Sequence, residues 1–136
     1  MNRTRILLAD DNRPRLEMTA TMLASYFDVV GMAHDGRDLI SKALFLTPDV
    51  IVADVTMPIL TGIEAAHQLR KAGLAARLVF LTIHRENEFI RACLAEGALG
   101  YVIKVHMKDD LIPAIHAAMA GKLFVSPTLS VSENLP

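Results

Sequence analysis

The sequence lacks the features that mark redox, membrane and nucleic-acid-binding proteins. Its 136 residues contain one cysteine, Cys93, which cannot form an internal disulfide and is expected to be a small buried hydrophobe within a helical pattern. No apolar run approaches the ~20 residues needed to span a bilayer. The formal net charge is −1 without a basic run, so this segment should not bind nucleic acid by itself. We expect a soluble, cytoplasmic protein with no membrane contact and one compact domain.

Short aliphatic runs alternate with longer segments of helical spacing, which predicts a parallel sheet covered on both faces. The five predicted strands span residues 6–9, 29–33, 50–53, 78–81 and 100–103. Asn12 and Asp35 are predicted caps of the first two helices, and Thr61 with Glu64 has the form of a capping box for the third. The fourth helix should span about 86–97. The fifth should start near 109, with Pro113 in its first turn, and end at 121.

Polar residues stand where four of the five strands end. They are Asp10 and Asp11 after the first strand, Asp54 after the third, Thr82 after the fourth and Lys104 after the fifth. Parallel strands share one carboxyl edge, where such folds bind ligands, so these side chains should gather in one site. Taken singly, each could be only a cap, a turn residue or a solubilising strand end.

Three carboxylates in one place repel one another unless a hard cation neutralises them, and Mg²⁺ is the natural candidate because it bridges carboxylate to phosphate. Lys104 adds a compact positive charge for the same anion. Phosphoryl transfer needs mainly positioning and charge stabilisation, and a carboxylate can be the nucleophile. Asp54 is the predicted nucleophile because it ends a central strand and is followed by a loop, residues 55–58, that can hold it in the site.

The combination of these residues resembles the receiver domain of bacterial response regulators. The resemblance rests on Asp10-Asp11, on Asp54 followed by Met57-Pro58 and Gly62, on Leu81-Thr82, and on Gly100-Tyr101 with Lys104. It implies an α/β, flavodoxin-like (βα)5 fold, with a doubly wound parallel five-stranded sheet in the order 2-1-3-4-5. It also implies a receiver domain over residues 1–125.

The resemblance assigns roles by matching position. Asp10 and Asp11 correspond to the acidic pair that binds Mg²⁺ with Asp54, the phosphoacceptor, and the backbone carbonyl of Thr56 completes the metal site. Thr82 corresponds to the switch hydroxyl, Tyr101 to the switch aromatic and Lys104 to the phosphate-contacting lysine.

Two positions depart from the family pattern. Ile83 follows the switch hydroxyl where many receivers have alanine or glycine, and Val105 follows Lys104 where proline or a small residue is common. Ile83 could narrow the entrance to the site. Together with Thr56, two residues after Asp54, these positions are expected to tune the rates of phosphorylation and dephosphorylation.

The resemblance is strongest to the NarL/FixJ class, on residues 81–84, 97–101 and 117–121 and on Ser126-Pro127. Members usually continue into a helix-turn-helix domain, so residues 126–136 are expected to be a tail or the start of a linker, and control of transcription is the expected output. The implied phosphodonor is a sensor histidine kinase. Phosphorylation should move Thr82, let Tyr101 occupy the vacated space, and change the face formed by helix 4, strand 5 and helix 5. That face, or helices 1 and 5, would form a homodimer.

Three other functions fit the sequence less well. A Mg²⁺-dependent aspartyl phosphatase would need a second general acid near the nucleophile, where Thr56 stands instead, and a cap domain. A receiver would be no enzyme beyond promoting its own phosphorylation and dephosphorylation. A degenerate receiver, acting as an interaction module independent of phosphate, is disfavoured because all the key residues are present. A dinucleotide site would need a glycine-rich turn after the first strand. The five histidines lack metal-ligand spacing.

Overall fold

The computed structural model describes residues 3–129 as alternating strands and helices. The strands are β1 (Arg5–Ala9), β2 (Asp28–Ala33), β3 (Val50–Asp54), β4 (Arg77–Thr82), β5 (Gly100–Ile103) and β6 (Phe124–Val125). The helices are α1 (Arg13–Ala24), α2 (Gly36–Leu46), α3 (Gly62–Lys71), α4 (Asn87–Ala95) and α5 (Met107–Met119). All five predicted strands and all five predicted helices are present.

The strands form one parallel sheet in the order β2-β1-β3-β4-β5-β6. The expected order 2-1-3-4-5 is confirmed, and the short β6 extends it beside β5. Register aligns the carboxyl ends of the central strands, because Ala9 pairs with Ala53 and Asp54 with Leu81. Residues that directly follow these pairs therefore lie side by side at the same edge.

Side chains alternate between the two faces of the sheet, which produces two apolar layers. On one face, Leu7 and Ala9 of β1 pack in the layer that includes α2, α3 and α4. On the other, Ile6 and Leu8 pack in the layer that includes α1 and α5. Cys93 is fully buried in the first layer, as predicted, and burial raises the pKa of its thiol to about 12.

Local capping sets the helix starts at the carboxyl edge. Asn12 accepts a hydrogen bond from the Arg15 amide, and Asp35 accepts one from the Asp38 amide. Thr61 and Glu64 form the reciprocal capping box that opens α3. These three predicted caps are confirmed, and they direct the loops that carry the site.

The start of α5 differs from the prediction. A 3₁₀ turn, Lys104–His106, runs directly into α5 at Met107, so Pro113 lies inside the helix and not in its first turn. Pro113 costs the helix one backbone N–H donor. The helix tolerates this loss because its apolar face, Leu111, Ile115 and Ala118, stays buried.

The chain continues to pack after β6. The Ser126 side chain is buried, accepts a hydrogen bond from the Ile103 amide and donates one to Asp110. Leu129 contacts the first apolar layer. The predicted boundary between 125 and 126 stays a prediction, and most of the predicted tail, residues 130–136, lies outside the described residues. No helix within residues 3–129 is long and apolar enough to cross a membrane.

Candidate functional site

Three aspartates meet at the carboxyl edge of the sheet. Asp10 and Asp11 follow β1, and Asp54 ends the neighbouring β3. One carboxylate oxygen of each lies within 4.8 Å of the others. Asp10 and Asp54 are buried, whereas Asp11 is exposed. Among residues 3–129, this is the one cluster of three or more acidic, histidine or cysteine side chains with metal-binding spacing.

Lys104 brings a positive charge onto Asp54. Its Nζ lies 2.7 Å from Asp54 Oδ2, while Asp54 Oδ1 accepts a hydrogen bond from the Thr56 amide at 3.2 Å. Burial raises the pKa of Asp54 above its ordinary value, and the charge of Asp10 adds to this effect. Lys104 and the Thr56 N–H oppose the rise without cancelling it. Hydrogen-bond donors therefore hold the Asp54 carboxylate in place, while burial leaves it poorly hydrated.

A second cation, Arg15, contacts Asp10 and reaches toward Asp54. Its Nε donates to Asp10 Oδ2 at 2.6 Å and its Nη2 to Asp10 Oδ1 at 2.8 Å, the side-on geometry of a strong bidentate pair. The same Nη2 lies 3.7 Å from Asp54 Oδ2. The hydrogen bond to Asp10 raises the pKa of Arg15 despite partial burial. The guanidinium thus spans two of the three aspartates.

Thr82 and Tyr101 both hydrogen-bond to the backbone of His84, in the loop after β4. The fully buried Thr82 accepts a hydrogen bond from the His84 amide at 3.0 Å. Burial raises the pKa of the Tyr101 phenol, and the nearby Thr82 hydroxyl partly opposes that rise. The Tyr101 hydroxyl donates to the His84 carbonyl at 2.8 Å. The Tyr101 ring is fully buried. The predicted movement of Tyr101 on phosphorylation stays a prediction.

The loops at this edge expose aliphatic side chains. Ile59 after β3, Ile83 after β4 and Val105 after β5 are 70%, 67% and 76% exposed. Ile59 also adopts a left-handed backbone with φ of 71°, which is uncommon for a β-branched residue. Thr56 is exposed in the same loop as Ile59. The predicted effects of Thr56, Ile83 and Val105 on rates stay predictions.

The structure brings Asp10, Asp11, Asp54 and Lys104 together, with Thr82 at the adjacent strand end. Sequence reasoning missed Arg15. A signal for it exists, because the first turn of α1 contains Arg13 and Arg15 and no acidic residue. Positive side chains are disfavoured at the positive end of a helix dipole, so a basic first turn indicates a nearby acidic partner.

Comparison with known proteins identifies the family. A profile described as "Response regulator receiver domain" matches residues 6–116. The nitrate/nitrite response regulator NarL of Escherichia coli K12 is 36% identical over 128 residues, covering 92% of this chain and 59% of NarL. The response regulator GacA of Pseudomonas viridiflava is 33% identical over 128 residues, covering 93% of this chain and 60% of GacA. The chain therefore spans about three fifths of these relatives.

A solved structure gives the same relation in three dimensions. A two-component response regulator of the LuxR family from Aurantimonas sp. SI85-9A1 superposes with a TM-score of 0.89 at 32% identity, covering 95% of this chain and 94% of that one. With its flavodoxin-like strand order and its acidic site at the carboxyl edge, the chain belongs to the receiver domain family of two-component response regulators.

Proposed function

We propose that Asp54 accepts a phosphoryl group from a phosphohistidine of a sensor histidine kinase and that the modified domain switches an output. The observation that carries the proposal is the contact of 2.7 Å between Lys104 Nζ and Asp54 Oδ2 within the three-aspartate cluster. A carboxylate nucleophile, a cation for the developing phosphoryl charge and an acidic metal site are the parts that phosphoryl transfer requires.

The donor set fits a magnesium ion. Asp10, Asp11 and Asp54 each offer one oxygen within a 4.8 Å cluster, and Mg²⁺ prefers carboxylate oxygens with retained waters. The guanidinium of Arg15 already lies between two of these aspartates, which supports their need for a cation. We assign Asp10, Asp11 and Asp54 as ligands, with the Thr56 carbonyl as the remaining protein ligand. When bound, the metal would neutralise charge on the carboxylates and phosphoryl oxygens.

Transfer would proceed in line at Asp54. A carboxylate oxygen of Asp54 forms the new P–O bond as the P–N bond to the donor histidine breaks. The donor imidazole, protonated on its other nitrogen, leaves as the neutral ring. Lys104 exchanges its contact with Asp54 for the new phosphoryl oxygens and so stabilises the product. The domain promotes its own phosphorylation and the later hydrolysis of its aspartyl phosphate, and it catalyses no further reaction.

The switch begins at Thr82. Its hydroxyl oxygen accepts a hydrogen bond from the His84 amide, and a phosphoryl group on Asp54 would offer the hydroxyl proton a strong, charged acceptor. When Thr82 changes partner, the bonds that tie Tyr101 and the His84 backbone together are rearranged. Because His84 lies in the loop that leads to α4, the face formed by α4, β5 and α5 is the proposed output surface.

The rim of the site supports a protein donor. Ile59, Ile83 and Val105 place exposed aliphatic groups on three loops at the carboxyl edge, where a kinase would dock. A cytoplasmic location suits such a partner. The names of the curated relatives, among them a transcriptional regulatory protein of Bacillus subtilis, support control of transcription as the output of the whole protein. DNA contact is assigned to a helix-turn-helix domain and not to this segment.

A homodimer through α1 and α5 has an observation in its favour. A hollow of about 360 Å³ between the two helices is lined by five mostly apolar side chains and one lysine: Met18, Met22, the exposed Tyr26, Met107, Ile112 and Lys108. Of the two dimer faces considered, we propose this one. Sedimentation of the wild type and of Met22→Glu tests it: the charged variant should be the more monomeric, and equal behaviour would exclude this face.

Phosphorylation is tested with acetyl phosphate and Mg²⁺, followed by intact mass and a phosphate-retarding gel. The wild type should gain the mass of one phosphoryl group, and hydroxylamine should remove it because the bond is an acyl phosphate. Asp54→Asn should gain nothing. Asp28→Asn, an exposed aspartate at the start of β2, is the matched control and should behave as the wild type. Equal modification of Asp54→Asn, or none of the wild type, contradicts the proposal and favours a phosphate-independent module.

A further inference from the structure

We propose that Arg15 is a built-in counterion of the acidic site that competes with Mg²⁺ for Asp10, so that metal binding requires the guanidinium to withdraw. The inference deepens the proposed function and depends on its metal site. Its basis is the bidentate contact of Arg15 with Asp10, at 2.6 and 2.8 Å, together with the reach of the same group toward Asp54.

The carboxylate of Asp10 has little capacity left for another partner. Its Oδ1 accepts from both the Asn12 amide, at 2.9 Å, and Arg15 Nη2, which uses its two lone pairs. Its Oδ2 accepts from Arg15 Nε. A metal ion at Oδ2 would lie beside the Arg15 guanidinium, and two positive charges at this short range repel each other. The two cations therefore exclude each other at Asp10.

Arg15 is placed to leave, whereas Lys104 is not. The Arg15 side chain is 27% exposed and comes from the first turn of α1, so it can swing toward solvent without disturbing either apolar layer. The Lys104 side chain is only 11% exposed. Lys104 thus remains a fixed neighbour of Asp54, and Arg15 is a movable one at the entrance of the same site.

The position of Arg15 is explained by Asp10 and not by the helix. A basic first turn opposes the helix dipole, and the Asn12 cap uses the backbone N–H of Arg15, not its side chain. The guanidinium therefore gains its stability from the carboxylates. If the competent state, with Arg15 withdrawn, is about a tenth of the population, the apparent affinity for the metal is reduced about tenfold.

The test is the affinity of MgCl₂ for the whole chain by titration calorimetry, without any phosphodonor. Arg15→Gln should bind Mg²⁺ about tenfold more tightly than the wild type, the inverse of that population penalty. Arg15→Lys, whose ammonium cannot bond both Asp10 oxygens side-on, should be intermediate. Arg13→Gln removes the same charge from the same turn and should stay within about twofold of the wild type, since exposed charges are screened by solvent and salt.

Thermal unfolding separates competition from a purely structural role. Without Mg²⁺, Arg15→Gln should melt below the wild type because Asp10 loses its counterion. In saturating Mg²⁺ the gap should close or reverse, because the tighter-binding variant gains more from the ligand. Equal Mg²⁺ affinities, or a stability loss that Mg²⁺ leaves unchanged, would overturn the role of Arg15 while leaving phosphorylation of Asp54 intact. If neither the wild type nor Arg15→Gln binds Mg²⁺, the metal site and this inference are overturned together.

Discussion

At the carboxyl edge of the sheet, buried charged side chains contact one another, whereas the charged side chains of Arg5 and Asp49 at the amino edge bond to the backbone. Asp49 illustrates the amino edge. Its carboxylate accepts a hydrogen bond from the Arg5 amide at 2.8 Å, and its backbone carbonyl accepts one from the Arg77 amide at 3.0 Å. The Arg5 guanidinium donates to the Leu46 and Thr47 carbonyls at the end of α2.

The carboxyl edge is built differently. Two cations, Arg15 and Lys104, share the aspartates, and Asp54 remains buried with a raised pKa. Two cations that share buried carboxylates can exchange partners, whereas the bonds of Arg5 and Asp49 tie strand and helix ends to one another.

The largest expected effect is from Lys104→Gln. The substitution removes the nearer cation, so the buried Asp54 carboxylate keeps only the more distant Arg15 as a positive neighbour. We expect the free energy of unfolding of the metal-free protein to fall by about 3 kcal/mol. The amino-edge counterpart, Arg5→Gln, should cost about 1 kcal/mol, because water can reach the carbonyls that it releases. Urea denaturation without metal measures both.

A double variant identifies the cause. Asp54→Asn added to Lys104→Gln removes the charge left without its lysine, so the double variant should recover most of the loss. If the double variant is as unstable as Lys104→Gln, or if Arg5→Gln costs as much, the two edges do not differ as described.

The next effect compares the glycines at the two ends of α3. A Cβ on Gly62 would lie 2.0 Å from the Asp54 carbonyl oxygen, so Gly62→Ala must push apart α3 and the end of β3. We expect a loss of about 3 kcal/mol. It should also slow phosphorylation by acetyl phosphate, because Asp54 itself is displaced.

Gly73 is the control at the amino edge. Its φ of 83° disfavours alanine, but nothing lies within 4 Å of the added carbon. Gly73→Ala should therefore cost about 1 kcal/mol and leave the phosphorylation rate unchanged. Similar losses for both variants in urea denaturation, or a slowed Gly73→Ala, would contradict the steric explanation.

Much of this contrast could be predicted from the sequence. Strand ends carrying Asp10, Asp54, Thr82 and Lys104 define the carboxyl edge, because parallel strands share a direction and the caps fix where helices begin. Local patterns encode these features, so the cluster of carboxylates could be predicted from the sequence itself, whereas the strand order followed from the family resemblance.

The contacts between side chains could not be predicted from the sequence in the same way. Arg15 lies five residues after Asp10, and only the path of the turn into α1 shows that its guanidinium returns to that carboxylate. The inward Tyr101 depends on the loop after β4, and the early start of α5 depends on the 3₁₀ turn before it. Each of these three features depends on how a loop packs against neighbouring segments, and the spacing of apolar residues does not encode that packing.

The smallest expected effect is at the amino-edge ends of α3 and α4. Glu96 Oε1 lies 3.0 Å from His67 Nδ1 and 2.9 Å from Arg70 Nη2, and both partners are about half exposed. Partial burial raises the pKa of Glu96, but the hydrogen bonds and charges of His67 and Arg70 outweigh it and the net shift is downward. Glu96→Gln should cost less than about 1 kcal/mol at neutral pH, because solvent screens exposed pairs.

The pH dependence of this small loss has a definite sign. Because the pKa of Glu96 is lower in the folded protein than in the unfolded chain, its contribution is present above the ordinary glutamate pKa. It disappears as the pH falls through the lowered value. The wild type and Glu96→Gln should therefore differ in urea denaturation at neutral pH and converge in acid, and high salt should narrow the difference. A loss as large as that of Lys104→Gln would mean that the amino edge also depends on contested charge.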